Sequence, residues 1–318
     1  MRGTHKVSIR SKRLRYDFEL HRNISIIQGN SATGKTSLVD MVREFYENGL
    51  ESGIELICDK NCAVINGKSW LQQLKNLSDT IVFIDEGNNF VSSNDFASYI
   101  KNTDNYYVII TRESLHSLPY SVKEIYGIKN SGKYNYLRQT YHEFYHIYPE
   151  ESLQLPIKPQ KLLLEDSNSG FEFFSAICQN NIICKSAKGK SNIFSLIDKE
   201  TDNCLIIADG AAFGSEIGRV SKKIISKNIK LYLPESFEWI ILNSKLFEIK
   251  ELDKILEKPS DFIESKDFFS WERFFNDYLV KITTNTKYNY SKNKLNPIYL
   301  EKRIINIILD SIIGIKLL

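Results

Sequence analysis

The sequence predicts an α/β protein: a parallel sheet with helices on both faces, then a smaller α/β part, then a helical C-terminal segment. Three observations carry this. Short, continuously apolar runs such as Ile81-Val82-Phe83-Ile84 alternate with stretches of helical period, as strands covered on both faces of a parallel sheet do. The alternation pauses at a segment punctuated by Pro149, Pro156 and Pro159, and resumes beyond it. After Lys250 the pattern is helical, broken by a polar, aromatic stretch over 283–297. The 318 residues suffice for two domains of ordinary size.

Taken in order, residues 7–9 and 16–20 read as short strands, and 23–28 is an apolar run entering a Gly-containing loop with a helix over 35–46 behind it. Strands follow at 54–58, 81–84, 106–110 and 124–128. The aromatic stretch 134–148 favours strand. The boundaries expected are a first domain over 1–148, a linker over 149–165, a second α/β domain over 166–250 and a helical region over 251–318. In the second domain, strands at 181–187, 204–208 and 229–233 alternate with helices at 191–197 and 211–226.

Composition narrows the classes. Hydrophobic residues are 42% and charged residues 25%, the balance of a globular protein. A net charge of +3 neither requires nor excludes a nucleic-acid partner. The five cysteines include no CxxC pair and are odd in number, so reduced thiols in a cytoplasmic protein are expected. The apolar run over 304–318 is interrupted by Asn306 and Asp310 and is shorter than the ~20 residues of a membrane span, so no membrane partner is expected.

The chemistry is concentrated in Gly29-Asn30-Ser31-Ala32-Thr33-Gly34-Lys35-Thr36, which fits G-x-x-x-x-G-K-[ST] in full. Its glycines let backbone N–H groups wrap a phosphate, and the helix behind it aims a positive end at the same charge. Lys35 is expected on the β- and γ-phosphates and Thr36 on Mg2+, with Ser37 completing the cofactor-binding set. The apolar run 81–84 ends in Asp85-Glu86, the Walker B pattern: Asp85 holds Mg2+ and Glu86 polarises the attacking water. The strand over 106–110 runs into Thr111, a candidate γ-phosphate sensor, and Arg112, a sensor or a finger toward a neighbouring subunit.

These strings make the first domain resemble the P-loop ATPases of the additional-strand division, which includes the AAA and ABC proteins. The resemblance implies ATP and Mg2+ as ligands, a further strand between the loop strand and the Walker B strand (54–58 is the candidate), and self-association or a partner protein. There is no LSGGQ-type signature.

The second domain resembles a degenerate Toprim domain, on Ile182 to Asn192 and Leu205 to Gly214. Asp209 and Gly214 match the later motif. Lys188 stands in the place of the first glutamate and Ala211 in that of the second aspartate, so the resemblance implies an impaired metal site, with Lys188 and Lys190 as candidate phosphate grips. An ATPase joined to a Toprim-like module is the plan of the overcoming-lysogenisation-defect family nucleases, which implies DNA handling or anti-phage defence. The alternative is a nucleotide-gated binding or signalling protein with little turnover.

Two other features bear on partners. His142-Glu143-Phe144-Tyr145-His146 matches the zinc-protease string HExxH, but in a strand its imidazoles stand about 13 Å apart. DNA or RNA is a further candidate partner, through Lys6, Arg10, Lys12, Arg13 and Arg15, or through the lysines from Lys281 to Lys302 with Tyr288 and Tyr290 between them.

Overall fold

A computed structural model describes residues 1–29, 33–131, 139–149, 157–178, 182–200, 203–225, 227, 229–312 and 314–315. It is α/β, with one large, mostly parallel sheet and a second, fully parallel one. Contacts divide the chain into two units. The first comprises Met1–Tyr120, Glu124–Ile147 and Lys258–Phe269; the second comprises Ser121–Lys123, Tyr148–Glu257 and Ser270–Leu318.

In the first unit, the described strands are β1 (His5–Arg10), β2 (Leu14–Leu20), β3 (Ile24–Gln28), β4 (Glu55–Ile57), β5 (Asn61–Val64), β6 (Thr80–Ile84), β7 (Tyr106–Ile110), β8 (Ile125–Asn130) and β9 (Thr140–His146). They lie in the order β4-β1-β2-β9-β8-β3-β7-β6-β5. From β8 to β5 every pairing is parallel. Every residue of β6 and β7 is buried, which is why their sequences are apolar without alternation. Toward the other edge β1 and β2 pair antiparallel, and β1 alternates buried with more exposed positions. The helices are α1 (Lys35–Asn48), α2 (Trp70–Leu74) and α3 (Asn94–Ile100). Helix α1 buries Leu38, Val39, Met41 and Val42 against a core that includes Ile27, Phe83 and Val108.

The strand that stands between β3 and β6 is β7. The candidate at 54–58 is corrected: its core is β4, which pairs antiparallel with β1 at the far edge. Its three residues are at best half-buried, unlike a central strand. Of the aromatic stretch, 132–138 lies outside the described residues; 140–146 is strand β9.

The second unit holds β10 (Lys161–Leu164), β11 (Ile183–Ser186), β12 (Cys204–Ile207) and β13 (Ile229–Tyr232), all parallel, in the order β11-β10-β12-β13. Its helices are α4 (Ser169–Ile177), α5 (Lys190–Ile197), α6 (Gly214–Ile225), α7 (Phe237–Asn243), α8 (Lys250–Glu257), α9 (Trp271–Thr283) and α10 (Lys302–Asp310). The segment expected as a linker over 149–165 thus ends in a central strand of this sheet. Among the described residues, no helix is long and apolar enough to cross a membrane.

Candidate functional site

Each unit gathers charged side chains at the C-terminal ends of its parallel strands, where open α/β sheets bind ligands. In the first unit, Ile27 of β3 is level with Ile110 of β7, and Ile84 of β6 with Ile109. Gly29, Asp85 and Thr111 therefore leave the sheet at one edge. Gly29 and Gly34 have φ of +122° and +91°, values that an L side chain rarely adopts. The Lys35 ammonium donates to the Gly29 carbonyl at 2.8 Å and to Thr33 Oγ1 at 3.3 Å, which closes the loop on itself. Lys35 is 6% exposed. Burial lowers its pKa, while Glu86 and then Asp85 oppose that and Arg112 reinforces it, so all three acid and base groups lie within electrostatic reach of the ammonium.

Glu86 Oε1 is 2.7 Å from Arg112 Nε, and both side chains are partly exposed. Burial pushes the Asp85 carboxyl above its ordinary range, although Oδ1 accepts the Glu86 amide at 2.8 Å. Thr111 is buried; its Oγ1 accepts the Glu113 amide at 3.0 Å, so its hydroxyl is engaged in a local turn. Thr36 is exposed and Ser37 half-buried. Asn30, Ser31 and Ala32 lie outside the described residues.

In the second unit, Leu164 of β10 is level with Ile207 of β12, so Glu165 and Asp209 emerge side by side. The Asp209 amide donates to Glu165 Oε2 at 3.0 Å. Lys188, expected in the glutamate's place, follows the edge strand β11 and is exposed. The acid that meets Asp209 is Glu165. Burial, then Glu272, Glu165 and Glu238, raise Asp209 well above its ordinary pKa, and Lys292 opposes them. Burial likewise raises Glu165, to about 7. Burial works against the Lys292 ammonium, but Glu272, Glu238 and Asp209 outweigh it and hold its pKa above the usual lysine value. Lys292 is ion-paired with Glu272. Glu238 accepts from Tyr290 Oη at 2.8 Å, and Tyr290 Oη lies 2.6 Å from Ser169 Oγ. Glu165, Asp166 and Asp209 line a pocket of about 290 Å³, counted to its open mouth, whose apolar wall includes Phe174 and Phe237.

Gly210 carries the turn after Asp209. Its amide donates to the Pro234 carbonyl, and a Cβ there would meet the Leu233 carbonyl oxygen at 2.5 Å, so no larger residue fits. Lys190 Nζ donates to the Ala212 carbonyl at 2.7 Å and lies within electrostatic reach of Glu165, which turns the expected phosphate grip inward. Glu165, Glu238, Glu272 and Lys292 were not legible as a group. Their one sequence signal is the acidic pair Glu165-Asp166 closing the apolar run 162–164.

The remaining sequence candidates are dispersed. Lys6, Arg10 and Arg15 are paired with Glu19, Glu55 and Asp17, which neutralises much of the first basic stretch. His142 and His146 lie on strand β9, as a zinc helix would not allow. Among the described residues, no group of three or more His, Cys, Asp or Glu side chains stands ready to hold a metal ion. No protein-family model matches the chain, and no curated protein matches it closely enough to count as a relative.

Proposed function

We propose that the first unit binds ATP with Mg2+ and hydrolyses it. The observation that carries this is Lys35, buried beside Gly29 and Gly34, two positive-φ glycines, and within electrostatic reach of Asp85, Glu86 and Arg112. The position of β7 between β3 and β6 supports the additional-strand reading. Thr36 and Asp85 would hold the magnesium. Bound Mg2+ would neutralise phosphate charge. Lys35 and the backbone amides of the loop bind and orient the phosphates, and Glu86 orients and polarises water. Arg112 is ion-paired with Glu86.

A second site in the same chain is favoured by the Glu165–Asp209 contact. Burial disfavours both carboxylates and Glu165 adds repulsion at Asp209, a donor pair that a divalent cation would relieve. We therefore read the second unit as an acidic site for phosphodiester chemistry rather than an impaired one. A role in DNA handling or defence rests on the ATPase-plus-Toprim plan alone. The competing reading, a nucleotide-gated switch with slow turnover, draws support from the Arg112–Glu86 pair, which engages the carboxylate proposed to polarise water.

The test is ATP hydrolysis by the purified protein, with and without DNA, beside Lys35→Ala and Glu86→Gln. Loss of turnover in both, with ATP still bound by Glu86→Gln, supports the ATPase. Tight binding without turnover in the wild type selects the switch. Absence of binding removes the reading altogether.

A further inference from the structure

We propose that Tyr16 and His142 form a stacked clamp that positions the phosphate-binding loop, so that nucleotide affinity depends on two side chains set behind it. The proposal rests on the reading that this loop binds a nucleoside triphosphate. Tyr16 of β2 and His142 of β9 are direct partners in a parallel ladder. Their rings stack with centroids 4.6 Å apart and planes 12° from parallel. Both press on Gly34, the residue before Lys35. A Cβ on Gly34 would lie 2.7 Å from Tyr16 Oη and 2.9 Å from His142 Nε2.

Tyr16 Oη donates to the Gly34 carbonyl at 2.9 Å. That oxygen also accepts the Leu38 amide at 3.0 Å, the bond that opens α1. One carbonyl thus joins the clamp to the N-terminal turn of the helix that would face the phosphates. Lys35 is covalently next, with its ammonium tied back to Gly29. A shift of Gly34 moves both the positive end of the helix and the lysine.

The chemistry of the pair fits a fixed support. Burial raises the Tyr16 phenol to about 12, so Oη stays protonated and keeps donating across ordinary pH. Burial lowers the His142 pKa, which favours the neutral ring. His142 Nδ1 is buried and has no hydrogen-bond partner among the described residues. Its contribution is the flat face that stacks on Tyr16. The first histidine of the string that resembles a zinc motif thus has a place of its own beside the loop.

The test is equilibrium binding of ATP with Mg2+ to the full chain as wild type, Tyr16→Phe, His142→Ala and His142→Phe. KM and kcat are read beside binding, and melting without nucleotide is measured for each. Tyr16→Phe keeps the ring and removes the donor, so the expected Kd rises roughly five- to tenfold, with the loss in KM and not in kcat. His142→Ala weakens binding, and His142→Phe, which restores a flat ring, recovers it. Binding by Tyr16→Phe equal to wild type overturns the clamp. So does a loss in His142→Ala that merely follows its melting temperature and is not rescued by His142→Phe. A wild type that binds no nucleotide removes the reading of the loop itself, and the clamp with it.

Discussion

The two units place charge at the same architectural position and use it in opposite ways. In the first, the end of β3 meets one buried ammonium, Lys35, tied back to the Gly29 carbonyl. Its acids, Asp85 and Glu86, stand at the rim, and Glu86 is 38% exposed and paired with Arg112. In the second, Glu165, Asp209, Glu238 and Glu272 converge, and the lysines Lys190 and Lys292 offset only part of their charge. The first site sets opposite charges together: the buried Lys35 ammonium lies within reach of Asp85 and Glu86. The second carries its tension in the resting protein, visible as carboxyls held above their ordinary pKa. Strand ends alone therefore do not decide the ligand; the sign of the side chains placed there does.

The largest effects expected are those that separate the sites. Lys35→Ala removes a charge-assisted contact to phosphate and is expected to weaken ATP binding by about 100-fold, while calorimetric titration with Mn2+ still detects the acidic site. Asp209→Asn is expected to abolish that Mn2+ signal while ATP binding persists. Loss of both signals in either variant would break the comparison, because it would mean one site or one fold in place of two.

Lys292 sharpens it from the side of stability. Removing the ammonium leaves Glu272 and Glu238 among like charges. A fully buried pair broken in this way costs about 3–5 kcal/mol. Lys292 is 37% exposed and Glu272 26%, and water screens part of the repulsion, so Lys292→Ala is expected to cost about 1–3 kcal/mol. Urea unfolding measures this. Replacing Glu272 together with Lys292 by neutral residues should restore part of the loss. A single variant as stable as wild type would show that the acids are not held in tension.

The contrast also explains what could be read from the sequence. The first site is local: eight consecutive residues form the loop, and two follow an apolar strand, so spacing alone marks them. The order of strands is not local. Residues 106–110 read as a strand, yet only the sheet shows that this strand divides β3 from β6, a place assigned to 54–58. The second site comes from residues at 165, 209, 238, 272 and 292, none closer than 20 positions to the next. Its first strand is four residues long and follows a proline-rich segment, a pattern that reads as linker. The sequence match places Lys188 after β11, whereas the acid beside Asp209 is Glu165, at the end of β10. Strand β10, and not β11, pairs with β12, which brings Glu165 and not Lys188 next to Asp209.

The smallest effect expected tests the second sheet without touching either site. Cys184 lies on its edge strand β11 and Cys204 on the interior strand β12. A hydrogen bond from Cys178 lowers the Cys184 thiol to about 7, against the opposing pull of burial, whereas burial raises Cys204 to about 12. Thiolate is the reacting form, and it accumulates as pH rises through the pKa. Alkylation by iodoacetamide, followed by mass spectrometry from pH 5.5 to 9, should therefore label Cys184 first, with a rate that is half-maximal near pH 7, while Cys204 stays unlabelled in the folded chain. Cys178→Ala, which removes the donor that stabilises the Cys184 thiolate, should move that midpoint upward. Equal labelling of the two cysteines would mean that β12 is no more protected than the edge, contrary to the sheet order on which the Glu165–Asp209 pairing depends.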